Sequence, residues 1–193
     1  MKQNVKSKSI KYEASDKGFV ATCWVNDITG VKWFKRACEV TTGKKLKKEQ
    51  AENLLKKMYK AEHSPIRTRI FFIEIKNVPT FVCNHFVRHK VGVEFFCLSH
   101  RSDRTGVKDE LSNRLTPTSF AMLVNAQALI NMARKRLCNK ASKETCEVMG
   151  LIKDTMGAVD SELAYRMVPD CEYRGRCCEI QSCRRVNNGN PVK

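Results

Sequence analysis

The chain has 193 residues, of which 42% are hydrophobic, and this is enough for one domain with its own core. Its formal net charge of +16 favours polyanionic partners such as nucleic acids, nucleotides or phosphates, without choosing among them. No hydrophobic stretch is long enough to cross a bilayer, and no apolar signal segment follows the first lysines. The sequence therefore predicts a soluble, cytoplasmic protein with no membrane partner.

Hydrophobic periodicity predicts the elements of the first half of the chain. Residues 1–11 are polar and rich in lysine, which predicts a flexible basic tail. A helix is expected after Gly30, and a second, with one apolar stripe, over residues 47–61. Residues 68–78, rich in Ile and Phe, predict a strand, and residues 80–90 predict the helix that follows it.

The second half of the chain is predicted to be mainly helical. Residues 91–111 are irregular and indicate a functional loop with some extended character. Three helices are expected after it, over residues 118–138, 142–159 and 160–167. Together these elements predict a single α+β domain over residues 12–168, with a central, mostly antiparallel sheet flanked by helices.

The stretch NHFVRHKVGVEFFCLSHRSDR, residues 84–104, contains three of the four histidines among four cationic residues. His85 and His89 are four residues apart, a workable metal-ligand spacing, but Phe86 stands where a metalloprotease helix carries its Glu. The cations alternate with apolar residues, and no helix–turn–helix, zinc-finger or RNP pattern is evident. A nucleic-acid partner is therefore open but not favoured, and a phosphorylated cofactor with its substrate fits better.

Several motifs of the chain resemble those of the flavin-dependent thymidylate synthases. FVRHK, with Arg88, His89 and Lys90, resembles the family's Arg-His-Arg signature, and SHR from Ser99 resembles the Ser-x-Arg that follows it. NAQALINMARKRLCNKASKE, from Asn125, resembles the family's Asn-Ala-Arg helix and its Leu-Arg…Ala-Gln-x-Glu run without a gap. AEHSP resembles the His-Glu-Ser/Thr-Pro segment, shifted by one residue. The resemblance covers about residues 30–160.

This resemblance implies the cofactor, the substrate and the residues that hold them. Flavin adenine dinucleotide (FAD) would be bound by Ser64, Arg88, His89, Lys90, Asn125 and Asn131. Deoxyuridylate would be bound by His85, Ser99, Arg101, Arg114 and Arg136. Arg136 is also the catalytic candidate, because its guanidinium would hold the uracil ring. NADPH and methylenetetrahydrofolate are the implied co-substrates, and the implied assembly is a homotetramer.

The chain departs from the family's pattern at six positions. Lys90 and Gln127 replace arginines, His85 and Ser142 replace glutamines, Cys97 replaces a Glu, and Ser102 replaces a Tyr. A lysine is a point charge where arginine offers a planar fork, so the first change is not neutral. The alternatives are another pyrimidine nucleotide, transfer of a hydroxymethyl group, or a non-catalytic nucleotide- or nucleic-acid-binding protein on the same fold.

Residues 169–193 form a cysteine-rich tail outside the resemblance. Cys171, Cys177 and Cys183 recur every six residues, and Cys178 adjoins the second of them. Zinc sites usually show a tighter Cys-x-x-Cys knuckle, so the sequence leaves a zinc site, a disulfide and free thiols all open.

Overall fold

A five-stranded antiparallel sheet forms the centre of the protein. The computed structural model describes residues 5–12, 19–106, 113–183, 186–187 and 190–191. The strands are β1 (Val5–Tyr12), β2 (Phe19–Asp27), β3 (Ile70–Pro79), β4 (Val93–Cys97) and β5 (Pro117–Asn125). Their order in the sheet is β1-β2-β3-β5-β4, and every neighbouring pair is antiparallel. The predicted α+β class with an antiparallel sheet is confirmed.

Helices pack mainly against one face of this sheet. They are α1 (Gly30–Thr42), α2 (Lys48–Ala61), α3 (Thr80–Phe86), α4 (Ser102–Thr105), α5 (Ala126–Arg136), α6 (Lys143–Gly157), α7 (Ser161–Arg166) and α8 (Asp170–Arg174). A 3-10 turn (Ser64–Thr68) precedes β3, and two-residue strands β6 (Val186–Asn187) and β7 (Asn190–Pro191) pair near the end of the chain. None of the helices in the described ranges is long and apolar enough to cross a membrane.

The core lies between the helices and the inner face of the sheet. Alternate residues of three adjacent strands are buried there: Ala21, Cys23 and Val25, then Phe71, Ile73 and Ile75, then Phe120, Met122 and Val124. This alternation follows from the two-residue period of a strand, which turns every second side chain to the same face. Helix α6 covers the β1 and β2 side of the sheet, so its own inner face is almost wholly buried.

The predicted helix over residues 118–138 is wrong in its first half. Pro117–Asn125 is strand β5, and the helix begins only at Ala126. The residues PTSFAMLV include good helix formers, but β3 and β4 pair with both edges of this segment, and tertiary pairing overrides the local preference. The side chain of Asn125 then accepts a hydrogen bond from the backbone N–H of Ala128 at 2.9 Å and caps α5.

Two corrections apply to the N-terminal part and to the loop. Residues 5–12 form the edge strand β1, although most of them were predicted as a flexible tail, and residues 1–4 lie outside the described part. Lysines are common on edge strands, where they discourage pairing with other chains, so a lysine-rich composition did not exclude a strand. The predicted loop over residues 91–111 contains β4 and α4, and its last residues, 107–111, lie outside the described ranges.

A buried ion network ties β2, β3, α2 and α7 together. Arg69, whose side chain is 3% exposed, donates two hydrogen bonds to the carboxylate of Asp27, at 3.0 and 2.9 Å. The same guanidinium donates to Asp160 at 3.1 Å, and the hydroxyl of Tyr59 donates to Asp160 at 2.8 Å. Asp160 also caps α7 by accepting from the backbone N–H of Leu163. The network fixes the ends of four elements relative to one another.

Candidate functional site

Five basic side chains meet where α3, α5 and the start of β5 approach one another, and we call them the cationic cluster: His85, Arg88, His89, Arg114 and Arg136. The first belongs to α3, the next two follow that helix directly, and Arg136 is the last residue of α5. Arg114 is held beside the start of α3, because its backbone carbonyl oxygen accepts a hydrogen bond from the backbone N–H of Phe81 at 3.1 Å. Three separate elements therefore supply the cluster.

The half-buried His89 is neutral in this environment. Burial and the neighbouring charge of Arg136 lower the pKa of His89 to about 4. Nε of Arg136 donates a hydrogen bond to Nε2 of His89 at 3.0 Å. A guanidinium can only donate, so Nε2 must be the unprotonated nitrogen and Nδ1 carries the proton. The imidazole thus contributes one N–H donor, while the positive charge stays on the arginine.

His85 is oriented by two helices. Its Nδ1 lies 2.8 Å from Oγ1 of Thr145, in the first turn of α6, and its backbone carbonyl oxygen accepts a hydrogen bond from Arg136. Burial, followed by the charges of Arg136, Arg88 and Arg114, lowers the pKa of His85. Glu144, also in the first turn of α6, offsets part of this effect. His85 therefore lies near the positive end of the α6 dipole, in surroundings that disfavour its charged form.

An aromatic ring joins Arg114 to this arrangement. The guanidinium of Arg114 lies 4.8 Å from the ring centroid of Phe81, and the same ring meets His85 edge-on at 5.6 Å. Cation–π contact of this kind holds the exposed arginine in place without neutralising its charge. Its N–H groups stay available to a ligand.

The described part of the chain supplies no carboxylate partner for the three arginines of the cluster. Among the residues that the structure describes, none of Arg88, Arg114 and Arg136 forms an ion pair with a carboxylate, whereas Arg69, Arg101 and Arg134 each do. The charge of Arg88 also lowers the pKa of Arg136, after the larger effect of burial. Like charges held this close are unfavourable unless an anion joins them. The arrangement is suited to binding a phosphate or another compact anion.

The two asparagines predicted to face a flavin have different surroundings. Asn125 caps α5, and its side chain lies against Gly92, where an added Cβ would stand 2.4 Å from Nδ2 of Asn125. Asn131 lies two turns along the helix, and its carboxamide oxygen accepts from Gln127 and from Arg134, both at 3.2 Å. Both of these donors also bind Glu62, at the end of α2.

Among the described residues, no hydrogen bond links the other predicted site residues to the cationic cluster. Arg101 instead binds Asp103 through two hydrogen bonds, at 2.9 and 2.6 Å, and its backbone N–H donates to Ser99. Ser64 opens the 3-10 turn and is exposed, as is Lys90. One chain therefore assembles His85, Arg88, His89, Arg114 and Arg136, and no described hydrogen bond links Ser64, Lys90, Ser99 or Arg101 to them.

Thr145 was missed by the sequence reasoning, and Ser142 was considered there only as the replacement of a glutamine. Thr145 binds His85, and Ser142 accepts from the backbone N–H of Thr145 as the cap of α6. A serine directly before a helical pattern is a recognisable capping signal, so Ser142 was visible in this role. The contact between Thr145 and His85 joins residues 60 positions apart and had no local signal.

The cysteines of the tail are free thiols in the structure. Cys171 is buried in α8, and Cys177 and Cys183 are half-buried. Within the described ranges, no three His, Cys, Asp or Glu side chains are close enough together to hold a metal ion. Hydrogen bonds from Ser182 and from the backbone N–H of Glu179 lower the pKa of Cys177.

Comparison with known proteins gives no family for this chain. No protein-family model matches it, and no curated protein matches it either.

Proposed function

We propose that this protein is a flavin-dependent enzyme that methylates deoxyuridylate to thymidylate, with methylenetetrahydrofolate and NADPH as co-substrates. The observation that carries the proposal is the cationic cluster: three arginines without carboxylate partners in the described residues surround two histidines of lowered pKa. Two of the segments that resemble the flavin-dependent thymidylate synthases, FVRHK and NAQALINMARKR, meet there.

The donor set fits a nucleotide substrate. Arg88 and Arg114 are exposed and unpaired in the described chain, so they suit a phosphate group. Arg136 is half-buried, and its orientation is fixed by His89 and by the carbonyl of His85. A fixed, partly desolvated guanidinium can stabilise negative charge that develops on a uracil ring.

The residues present also fit the pyrophosphate of FAD. Arg88 and the N–H of the neutral His89 offer charge and a directed donor, and Asn125 stands close to the same loop through Gly92. When bound, FAD would supply the hydride chemistry that protein side chains lack. The protein's own part is to hold the phosphates, orient the ring and keep Arg136 in place.

The site of one chain is incomplete under this proposal. Ser99, Arg101 and Lys90 make no described hydrogen bond to the cationic cluster, although the family resemblance places them in the binding site. A cytoplasmic homotetramer in which subunits complete each other's sites would bring them together. This is part of the proposal, and sedimentation of the purified protein tests it separately.

The decisive assay is formation of thymidylate from deoxyuridylate by the purified protein, supplied with FAD, NADPH and methylenetetrahydrofolate. We expect turnover, and a loss of at least about 100-fold in Arg136→Gln, because a charge-assisted contact made in the transition state is removed. Lys135→Gln is the matched control, since it removes one charge from the adjacent exposed position of α5, where Lys135 forms a 3.7 Å surface pair with Glu179.

Three results would redirect the proposal. Turnover of another pyrimidine nucleotide would keep the enzyme class and change the substrate. Binding of deoxyuridylate without turnover under any of these conditions would indicate a binding protein. Equal activity in Arg136→Gln and the wild type would remove Arg136 from the catalytic role.

A further inference from the structure

Two cysteine thiols lie side by side at the ends of the segment that carries part of the cationic cluster. Sγ of Cys83, in α3, lies 3.5 Å from Sγ of Cys97, the last residue of β4. The chain between them, residues 84–96, contains Arg88 and His89. The described structure shows both thiols as free.

The two thiols differ in their access to solvent. Cys97 is exposed, whereas Cys83 is 5% exposed and packs in the core. Burial, together with the hydrogen bond and charge of Cys97, raises the pKa of Cys83 to about 12. A reagent in solution therefore meets Cys97 first, and Cys83 lies behind it within reach.

We propose that Cys97 is a thiol-modification site that reacts with low-molecular-weight disulfides, such as oxidised glutathione, and that Cys83 resolves the product. The Cys97 thiolate attacks one sulfur of glutathione disulfide, the S–S bond breaks and one glutathione thiolate leaves. Cys83 then gives its proton to solvent and attacks Sγ of Cys97, which releases a second glutathione thiolate. Two protein thiols are oxidised to one disulfide, and one glutathione disulfide is reduced to two glutathiones.

The two sulfurs need to move only a short distance for the second step. A disulfide needs the sulfurs about 2.05 Å apart, so they must approach by about 1.5 Å, a distance that side-chain rotation can cover. The closed ring would fix both ends of residues 84–96 relative to each other and restrict the segment that holds Arg88 and His89. Cys97 thus links the redox state of its surroundings to the shape of the cationic cluster.

Tryptic mapping tests the linkage with one cysteine in each peptide. Cleavage after Lys76, Arg88, Lys90 and Arg101 gives peptide 77–88 with Cys83 alone and peptide 91–101 with Cys97 alone. After native protein is treated with oxidised glutathione and remaining thiols are alkylated, we expect these peptides as a linked pair that separates on reduction. Cys83→Ser should instead keep one glutathionyl group on peptide 91–101, and Cys97→Ser should give neither product.

Cys138→Ser, which alters a half-buried thiol outside the pair, should form the linked peptides as the wild type does. Hydrogen–deuterium exchange of residues 84–96 should slow at least severalfold on oxidation, and unchanged exchange would refute the restriction of the segment. Linkage of Cys97 to a different cysteine, or stable glutathionylation of Cys97 in the wild type, would overturn the proposal. These outcomes do not depend on whether the protein makes thymidylate.

Discussion

Replacing Arg69 with Met should destabilise the protein strongly. Arg69 is 3% exposed and serves two carboxylates that are themselves poorly exposed, Asp27 at 17% and Asp160 at 10%. Arg69→Met keeps the unbranched apolar stem but leaves both carboxylates without their cation. Removing one partner of a buried ion network costs about 3–5 kcal/mol, much of it from the charge left behind. For a domain of this size that corresponds to a fall in Tm of roughly 6–20 °C.

Thermal unfolding followed by circular dichroism measures this directly, with Lys56→Met as the matched control. Lys56 pairs with Glu162 at 3.1 Å, but both side chains are well exposed, at 55% and 40%. Such a surface pair contributes at most about 1 kcal/mol, so its loss should lower Tm by no more than about 4 °C. If Arg69→Met lowered Tm no more than Lys56→Met, the network would not hold these elements together, and the reasoning would be wrong.

Three further predictions concern the site. Gly92→Ala should lower the free energy of unfolding by about 2 kcal/mol, because Gly92 has φ +74° and a Cβ there would displace the Asn125 side chain that caps α5. Denaturant titration measures this change, and an unchanged unfolding midpoint would contradict the prediction. Arg136→Gln should raise the pKa of His89 from about 4 toward its ordinary value of 6.5. A pH titration monitored by NMR measures this pKa, and an unchanged value would rule out the contact between Arg136 and His89. His89 binds a proton below about pH 6.5 in the unfolded chain but only below about pH 4 in the folded protein. The stability of the wild type should therefore fall as the pH drops from 6.5 to 4, and that of Arg136→Gln should fall less. Ser142→Ala should lower the free energy of unfolding by about 1 kcal/mol through loss of the α6 cap, measured by denaturant titration. A change near zero would show that Ser142 does not stabilise α6 as a cap.

The elements with strong periodicity could be predicted from the sequence. Helices α2 and α6 and strand β3 lie within one or two residues of the expected positions, and α1 begins at Gly30, where a helix start was expected. Each of them has a clear apolar pattern and a marked start or end. Strand β5 could not be distinguished in this way. Its residues run directly into α5, and only pairing with β3 and β4 decides their state.

The cationic cluster could be predicted in part. His85, Arg88 and His89 are close in sequence, and Arg136 was singled out by the resemblance of its helix; the structure joins them through Arg136. The partners of Arg101 lay outside sequence reasoning, because its ion pair with Asp103 depends on the short helix α4 in a segment read as a loop. Contacts between subunits, which the proposed tetramer would require, cannot be read from one chain's hydrophobic pattern.

The visible absorption spectrum of the purified protein, recorded after addition of FAD and removal of the excess, shows directly whether this chain binds a flavin and uses it. We expect that flavin bands are retained, that NADPH bleaches them, and that methylenetetrahydrofolate with deoxyuridylate restores them. Arg88→Met should retain less flavin than the wild type, while the matched variant Arg36→Met, which removes an exposed arginine paired with Glu39 in α1, outside the cationic cluster, should retain as much. Absence of flavin bands from the wild-type protein would contradict the claim that this chain is a flavin-dependent enzyme.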